Sequence, residues 1–232
     1  GLGASYARRV EARGTLGDIF AAGDRIRFNL AQARTTATVT LADLQLSVGG
    51  TLSSFDYLPV RINRVRTSQN YRDRREVTAT ARADYRVGPG LRLFVSGAYN
   101  DLHYDQRVSG FDQNSDGYAI LAGAAFGLTE LISGEIGVGY LDQSYDEPAF
   151  GSIGGFAYNG RLIWNPTPLM TVTLNGARTI QQSPFVDRAG ILQDDARLTL
   201  DYEILRRLIL TGSGAITVND YRGSDRRDRL RA

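Results

Sequence analysis

Several residue types are absent from this sequence or nearly so. Its 232 residues contain no cysteine and no lysine, one tryptophan, one methionine and a single histidine, His103. The lack of cysteine excludes a disulfide framework and a thiolate metal site. No run of 18 apolar residues occurs, which excludes a transmembrane helix. It does not exclude a transmembrane β-strand, which needs only about 9–11 residues.

All 27 basic residues are arginine, and with 25 acidic residues they leave a formal net charge of +2. The two signs are interleaved along the chain, which argues against nucleic acid as a partner because that requires a basic surface. The exclusive use of arginine has two readings. Arginine suits bidentate contacts with carboxylate or phosphate, and it also reflects the codon usage of a GC-rich genome.

The chain does contain one strand pattern that is repeated about eleven times. In residues 76–87, apolar side chains occupy the odd positions from Val77 to Val87, and charged or hydroxyl side chains the even positions from Glu76 to Arg86. Because successive side chains of a strand point to opposite faces, one face of such a segment is apolar and the other polar. We predict strands at 2–12, 27–40, 44–57, 75–87, 91–104, 117–128, 131–145, 153–165, 169–181, 193–204 and 207–220.

The predicted connections alternate between short and long. The short ones are Ala42-Asp43, Gly88-Pro89-Gly90, Thr129-Glu130, Pro166-Thr167-Pro168 and Arg206. The long ones, at 13–26, 58–74, 105–116, 146–152 and 182–192, are polar. Strict alternation places every long connection at one end of the sheet, which in a bacterial outer membrane is the external end.

Aromatic residues mark both ends of the predicted strands. Those beside short turns are Tyr85, Trp164 and Tyr202, and those near the long connections are Tyr57, Tyr99, Tyr104, Tyr118, Tyr140 and Phe156. Two aromatic bands on either side of an aliphatic zone are typical of the interfacial girdles of a membrane barrel. Tyr85, Tyr99, Tyr118, Tyr140, Trp164 and Tyr202 are the girdle candidates.

These features predict an all-β fold: an antiparallel up-and-down transmembrane β-barrel with about 11–12 strands, forming a single outer-membrane domain over residues 1–232. A soluble β-sandwich also has alternating strands, but its loops need not alternate in length. No signal peptide opens the chain, and the polar residues 222–232 follow an apolar strand with no predicted partner after it. Because lipid does not tolerate an open sheet edge, we expect the chain to be part of a larger barrel.

With the apolar face outward, the polar face lines a lumen. The candidate lumen-lining residues carry both signs of charge: Arg34, Glu76, Arg82, Asp84, Arg86, Arg92, Glu135, Arg161, Asp195, Arg197 and Asp201. Mixed signs indicate no preference for anions or cations, and they suit a hydrated wall that hydrogen-bonds a polar solute such as a sugar chain. Alternatively, cross-strand pairs of arginine and carboxylate only brace the wall.

Two neighbouring predicted strands carry very small residues at inward positions, namely Ala119, Gly123, Ala125 and Gly127 on one and Gly137 and Gly139 on the next. Small inward residues leave space in a lumen. Glycine equally permits strong curvature of a sheet. Both interpretations stand at the level of sequence.

We predict no catalytic centre, cofactor or metal site. His103 lies at a predicted external strand end, where a lone histidine is typical of a polar rim rather than of a catalytic base. Asp194 and Asp195 point to opposite faces of a strand and cannot act on one bond. The segment 112–117 resembles part of a calcium loop, but Gly123 stands where the bidentate glutamate is needed.

Three segments carry a resemblance to a known family. They are the run from Tyr71 to Asp105 with its Tyr-Arg-Val-Gly-Pro-Gly-Leu turn, the run Gly110–Tyr118 followed by Gly134–Leu141, and Arg161–Pro168 leading to Val172–Leu174. Together they make residues 71 to about 205 similar to the putative β-barrel porin 2 family. These are strand-and-turn motifs, so they carry over no catalytic residue.

The resemblance implies an outer-membrane barrel of Gram-negative, especially alphaproteobacterial, cells. Members often lie in exopolysaccharide loci, which implies passage of polymer across the outer membrane. Full members are longer, which implies further strands. The expected partners are outer-membrane lipid and a polysaccharide, with an oligomer or partner chains that complete the strand set as an open alternative.

Two functions from different classes follow. The first is a passive outer-membrane channel that passes polar solutes, with exopolysaccharide export as its specific form. The second is a non-conducting structural or adhesive barrel that acts through its external loops, and inward folding of the connections 58–74 and 182–192 favours it. Neither function is that of an enzyme.

Overall fold

The computed structural model describes residues 1–11, 24–107, 110–127, 129–183, 190–221 and 227–231. Within these ranges, no helix has the length and apolarity needed to cross a membrane. The one helical element described is a single 3₁₀ turn at Asn70–Arg72. The strands are β1 (Leu2–Val10), β2 (Arg27–Leu41), β3 (Leu44–Tyr57), β4 (Val60–Ile62), β5 (Val65–Thr67), β6 (Arg74–Gly88), β7 (Leu91–Tyr104), β8 (Ser115–Gly127), β9 (Ile132–Tyr145), β10 (Ser152–Thr167), β11 (Met170–Gln181), β12 (Ile191–Leu205), β13 (Leu208–Tyr221) and β14 (Arg227–Arg231).

Twelve of these strands form one antiparallel sheet in the order β1-β2-β3-β6-β7-β8-β9-β10-β11-β12-β13-β14. Each strand therefore pairs with its neighbours along the chain, apart from the small β4–β5 hairpin inside the connection that follows β3. The eleven predicted strands correspond to β1–β3 and β6–β13, and the up-and-down all-β prediction is confirmed. The ends of the predicted strands at residues 12 and 128, much of the connection 13–26 and residues 184–189 lie outside the described ranges.

Two elements differ from the sequence prediction. The connection 58–74 contains β4 and β5, and the strand β13 does have a later partner, because β14 pairs with its residues Ile216–Asp220. Strand pairing uses backbone N–H and C=O groups. An Arg/Asp-rich segment such as 227–231 can therefore form a strand without the apolar alternation that identified the others.

The sheet is rolled rather than flat. Arg9 on β1, Asn100 on β7 and Leu230 on β14 all line one cavity of about 960 Å³. A flat sheet cannot place both of its edge strands and its centre on one cavity, so the sheet wraps around it. We call the face that lines this cavity the inner face and the opposite one the outer face. Among the described residues, β1 and β14 are not paired with each other.

The outer face carries large apolar side chains that no other part of the described chain covers. Val77, Val95, Ile136 and Leu198, on four different strands, are about half exposed. A water-soluble monomer rarely exposes a continuous apolar surface of this extent. Lipid is the environment that such a surface requires.

The turn after β6 depends on one glycine. Gly90 has a φ of +72°, which an L-residue with a side chain rarely adopts. A Cβ atom at this position would also overlap the carbonyl oxygen of Gly127 on the neighbouring strand. The Pro89–Gly90 pair therefore fixes a tight turn, which sets the register of β6 against β7.

Candidate functional site

The structure places the predicted lumen-lining residues on a single face of the sheet, the inner one. Cross-strand pairing puts them in register with residues that line the cavities, and the set is Arg34, Glu76, Arg82, Asp84, Arg86, Arg92, Glu135, Arg161, Asp195, Arg197 and Asp201. The six girdle candidates lie on the outer face and are between 42% and 55% exposed: Tyr85, Tyr99, Tyr118, Tyr140, Trp164 and Tyr202. Two of them, Tyr118 and Tyr140, have ring centroids 6.5 Å apart.

Two aromatic residues predicted for the external band lie elsewhere. Tyr57 and Tyr104 are 5% and 7% exposed and belong to the inner face. On β3 the outer residues are the even-numbered ones, so the odd-numbered Tyr57 points inward. Counting the alternation from Leu44 identifies this orientation, whereas closeness to a strand end does not.

Arg82 is the centre of an ion-pair cluster on the inner face. Its guanidinium group donates two hydrogen bonds of 2.8 Å to Asp84 on the same strand. It donates two more, of 2.8 and 2.9 Å, to Glu135 on β9, two strands beyond its own neighbour. The contact between Arg82 and Glu135 therefore braces the wall, as one sequence interpretation of the arginine–carboxylate pairs expected. It joins β6 to β9 past β7 and β8 rather than joining adjacent strands.

The ring of Phe94 explains how Arg82 reaches so far. The Arg82 guanidinium carbon lies 3.9 Å from the centroid of this ring, which is 3% exposed. Below the ring are Gly123 and Gly137, where a Cβ atom would come within 2.6 and 3.0 Å of the Phe94 Cζ atom. Phe94 therefore packs closely against both glycines, and stacking on its aromatic face holds the arginine in place.

The connection 58–73 is anchored at the end of the cavity where the long connections lie, which we call the mouth. Arg72 donates two hydrogen bonds to the carboxylate of Glu11, of 2.5 and 3.2 Å, and its guanidinium carbon lies 4.2 Å from the ring centroid of Tyr57. The next arginine, Arg74, lies over the ring of Phe55 at 4.1 Å. The Arg72 contacts tie the connection to Glu11, which directly follows β1, and to Tyr57 at the end of β3.

Two ionisable groups in this connection respond to their surroundings. Burial alone would lower the pKa of Arg72, but the hydrogen bonds with Glu11 and the nearby Tyr57 outweigh it and raise the pKa overall. Burial also raises the pKa of Asp73, opposed by the hydrogen bond that its carboxylate accepts from the Tyr57 backbone N–H at 2.6 Å. Arg72 therefore remains a cation in the anchored connection.

The described end of the β11–β12 hairpin, residues 178–183 and 190–194, leaves the wall and enters the mouth. Pairing between β10 and β11 stops at Asn159 and Ala177, although β10 continues alongside β9. Beyond that point, toward the mouth, Ile180 and Leu192 belong by alternation to the outer face. They nevertheless pack against inner-face residues, including Ile153. The described end of the hairpin therefore lies against the inner face of β9 and β10.

Polar contacts hold this hairpin end. The Gly190 backbone N–H donates a 2.8 Å hydrogen bond to the hydroxyl oxygen of Tyr145, at the end of β9. Where β10 and β11 separate, Asp194 accepts hydrogen bonds from Arg178 at 2.6 Å and from the Tyr158 hydroxyl at 3.0 Å. The described part of the hairpin is thus tied to the two strands beside it.

We expect Tyr145→Phe to loosen the hairpin end without unfolding the sheet. The change removes the acceptor for Gly190 N–H, a contact worth about 1 kcal/mol. Peptide-level hydrogen exchange over residues 190–193 should then be about fivefold faster. Tyr140→Phe is the matched control, because Tyr140 lies on the outer face of the same strand. Equal exchange rates in the two variants would contradict a role for the Gly190–Tyr145 hydrogen bond in holding the hairpin end.

Neutral polar side chains are part of the lining of the main cavity. They include Gln143, Gln181, Gln182, Gln193 and Asn219. Asn219 is 1% exposed, and its Oδ1 atom has no hydrogen-bond partner among the described residues. Amides of this kind donate to and accept from hydroxyl groups. The cavity can therefore hydrogen-bond a hydroxyl-rich solute, and within the described residues no group of His, Cys, Asp and Glu could hold a metal ion.

An up-and-down sheet that wraps a polar cavity and turns an apolar, aromatic-banded face outward defines the class of β-barrels embedded in membranes. The model of the family described as putative beta-barrel porin 2 matches residues 2–231. The chain belongs to that family. No curated protein matches the chain.

Proposed function

We propose that the protein is an outer-membrane channel that passes polar solutes through the cavity on its inner face, with exopolysaccharide leaving the cell as its specific solute. The observation that carries this proposal is the cavity of about 960 Å³ that both edge strands share. Its polar lining is suited to water and hydroxyl groups. In an outer membrane the end with the long connections faces outward.

The chemistry of the lining supports a passive role. Partly exposed amide side chains such as Gln181, Gln182 and Gln193 offer several weak hydrogen-bonding positions rather than one deep pocket. Conduction requires binding that is favourable enough for entry and weak enough for release. A succession of neutral amides along the wall meets that requirement for a sugar chain.

The test is single-channel conductance of the protein in a planar bilayer, with and without the exopolysaccharide of its host. The expected result is a stable ohmic conductance that the polymer blocks. Folding of the inserted protein is checked by its β-sheet circular dichroism. No conductance from protein shown to be folded would contradict the channel.

A second candidate is a non-conducting structural or adhesive barrel that works through its external connections. One observation favours it: the anchored connection 58–73 and the end of the β11–β12 hairpin both pack into the mouth. The Tyr145→Phe variant separates the two functions. A channel should show a changed conductance when its hairpin end is loosened, whereas a non-conducting barrel should remain closed.

Further chains are a remaining proposal for the assembly. In the described sheet, β1 and β14 are the two edge strands. Strands of a neighbouring copy pairing with those edges would extend the sheet. Chemical cross-linking of the protein in its native membrane tests for such an oligomer.

A further inference from the structure

Four arginines lie in one cross-strand row of the inner face. Successive pairs run from Arg86 to Arg92, and then through Ala125 and Glu135 to Arg161. The row continues through Asn175 to Arg197. We call Arg86, Arg92, Arg161 and Arg197 the arginine row. Their positions are far apart in the sequence, and only the register of the strands brings them together.

No described residue neutralises these four side chains. None of them forms an ion pair or a side-chain hydrogen bond within the described part of the chain, and all four are exposed to the cavities. Arg86 and Arg92 stand directly opposite each other on adjacent strands. Like charges in that arrangement are destabilising. The four guanidinium groups therefore lack a direct hydrogen-bonding partner among the described residues, and the only negative charge within the row is that of Glu135.

The nearby carboxylates are already occupied. Glu135 lies within the row, but both of its carboxylate oxygens accept hydrogen bonds from Arg82. Both carboxylate oxygens of Asp84 also accept hydrogen bonds from Arg82. Asp195 lies two residues from Arg197, and its oxygens accept from Thr217 and Gln193 at 2.5 Å each. The unsatisfied hydrogen-bonding capacity along the row consists of guanidinium donors.

Two cavities give a ligand access to the row. One of about 620 Å³ is lined by Arg86 and Arg92, and another of about 800 Å³ by Arg161 and Arg197. Glu135 lines both, so the cavities are adjacent. Asn159 and Asn175 lie beside the second pair of arginines and can hydrogen-bond sugar hydroxyls.

We propose that the arginine row is a binding site for the carboxylate groups of an acidic polysaccharide. The guanidinium fork matches a carboxylate with two parallel hydrogen bonds. Arg161 and Arg197 are two strands apart, about 10 Å, so a linear polymer can engage both with successive acidic residues. This inference rests on the proposed channel function and narrows its solute from polar to anionic.

The experiment is equilibrium binding of an oligogalacturonate of defined length to the intact, detergent-folded protein by calorimetry. Neutral dextran of matched length is the second probe. The variants are Arg161→Gln with Arg197→Gln, and Arg86→Gln with Arg92→Gln. Because the four side chains are exposed and unpaired, these changes should leave the fold intact, which circular dichroism checks.

Each double variant should weaken oligogalacturonate binding by at least about tenfold. Arg34→Gln is the matched control, because Arg34 is an exposed, unpaired inner-face arginine outside the row; its binding should change less than about twofold. Replacing Arg161 and Arg197 by lysine keeps the charge but loses the fork, so an intermediate affinity is expected. Affinity should also fall as salt is raised.

Three results would overturn the inference: no binding by the unmodified protein, equal binding of dextran, or unchanged affinity in both double variants. The outcome is independent of conduction. Binding that depends on the arginine row in a protein without conductance would refute the channel and keep the site. Conductance together with oligogalacturonate binding that is unchanged in the arginine-row variants would support the channel and refute the site.

Discussion

Replacing Arg82 with methionine should lower the free energy of unfolding by about 3 kcal/mol, the lower end of the range for removing one partner of a buried pair, because Asp84 is buried although Arg82 and Glu135 are partly exposed. Methionine retains packing against the ring of Phe94 but leaves two carboxylates, Asp84 and Glu135, without their donor. The Asp84 side chain is only 6% exposed, so it has little access to water as a substitute. Guanidinium titration of the folded protein, followed by the fluorescence of the sole tryptophan Trp164, measures the loss.

The triple variant Arg82→Met, Asp84→Asn and Glu135→Gln is the control for this prediction. It removes the charges together with their partner, so it should recover much of the lost stability. Arg82→Lys should fall between the parent and the methionine variant, since one ammonium group cannot hold both carboxylates bidentately. A loss below about 1 kcal/mol for Arg82→Met would show that the lumen solvates the cluster as a surface pair.

Gly139→Ala should be as damaging as the loss of Arg82, although it adds only one methyl group. A Cβ atom on Gly139 would overlap the carbonyl oxygen of Ile120 and come within 2.8 Å of the Leu121 Cα atom. Both are backbone atoms of β8, so relief requires the two strands to move apart. We expect a loss of about 3 kcal/mol, at the upper end of the usual cost of overpacking, measured by the same titration.

Gly155→Ala is the matched control. Gly155 also lies on the inner face, on the next strand, but no atom lies within 4 Å of a Cβ built on it. Alanine there should leave stability unchanged or raise it by about 0.5 kcal/mol, because it restricts the unfolded chain. Equal losses in the two variants would mean that inner-face glycines matter for general reasons, not for close approach of strands.

The two sequence interpretations of the small inward residues apply to different glycines. At Gly137 the missing side chain leaves room, which the side chains of Asn159 and Phe94 occupy, whereas at Gly123 the nearest atom is the backbone carbonyl oxygen of Ile136 on β9. At Gly139 the backbone of the neighbouring strand approaches so closely that a side chain does not fit, which is the geometry of a sharply bent sheet. Sequence could not separate these cases, because both depend on what lies across the sheet.

The fold was predictable because its signal is local. Alternation from Val77 to Val87 shows which side chains share a face, and short turns such as Ala42–Asp43 set the register of adjacent strands. The hairpin β4–β5 and the strand β14 were not predictable in this way. Three-residue strands show too little alternation, and an Arg/Asp-rich edge strand shows none.

The contacts of the candidate site were less predictable. The bond from Arg82 to Glu135 joins strands that are not adjacent, so neither spacing nor pairing rules indicate it. The arginine row required the register of six successive strand pairs, including the bulge after Arg86. The inward position of Tyr57 could have been predicted from the sequence, because counting the alternation from Leu44 assigns odd-numbered residues to the inner face. Its position at a strand end suggested a girdle residue instead.

The nearest-neighbour order of the sheet makes the wall a row of interchangeable hairpins. Each hairpin contributes its own outer surface and its own part of the lining, and it bonds mainly to the strands before and after it. Duplicating or deleting one would alter the circumference without disturbing distant pairings, and barrel diameter grows with strand number. Lumen width in such a chain is therefore a property that whole-hairpin gain or loss can change in steps, while point substitutions adjust the lining within each step.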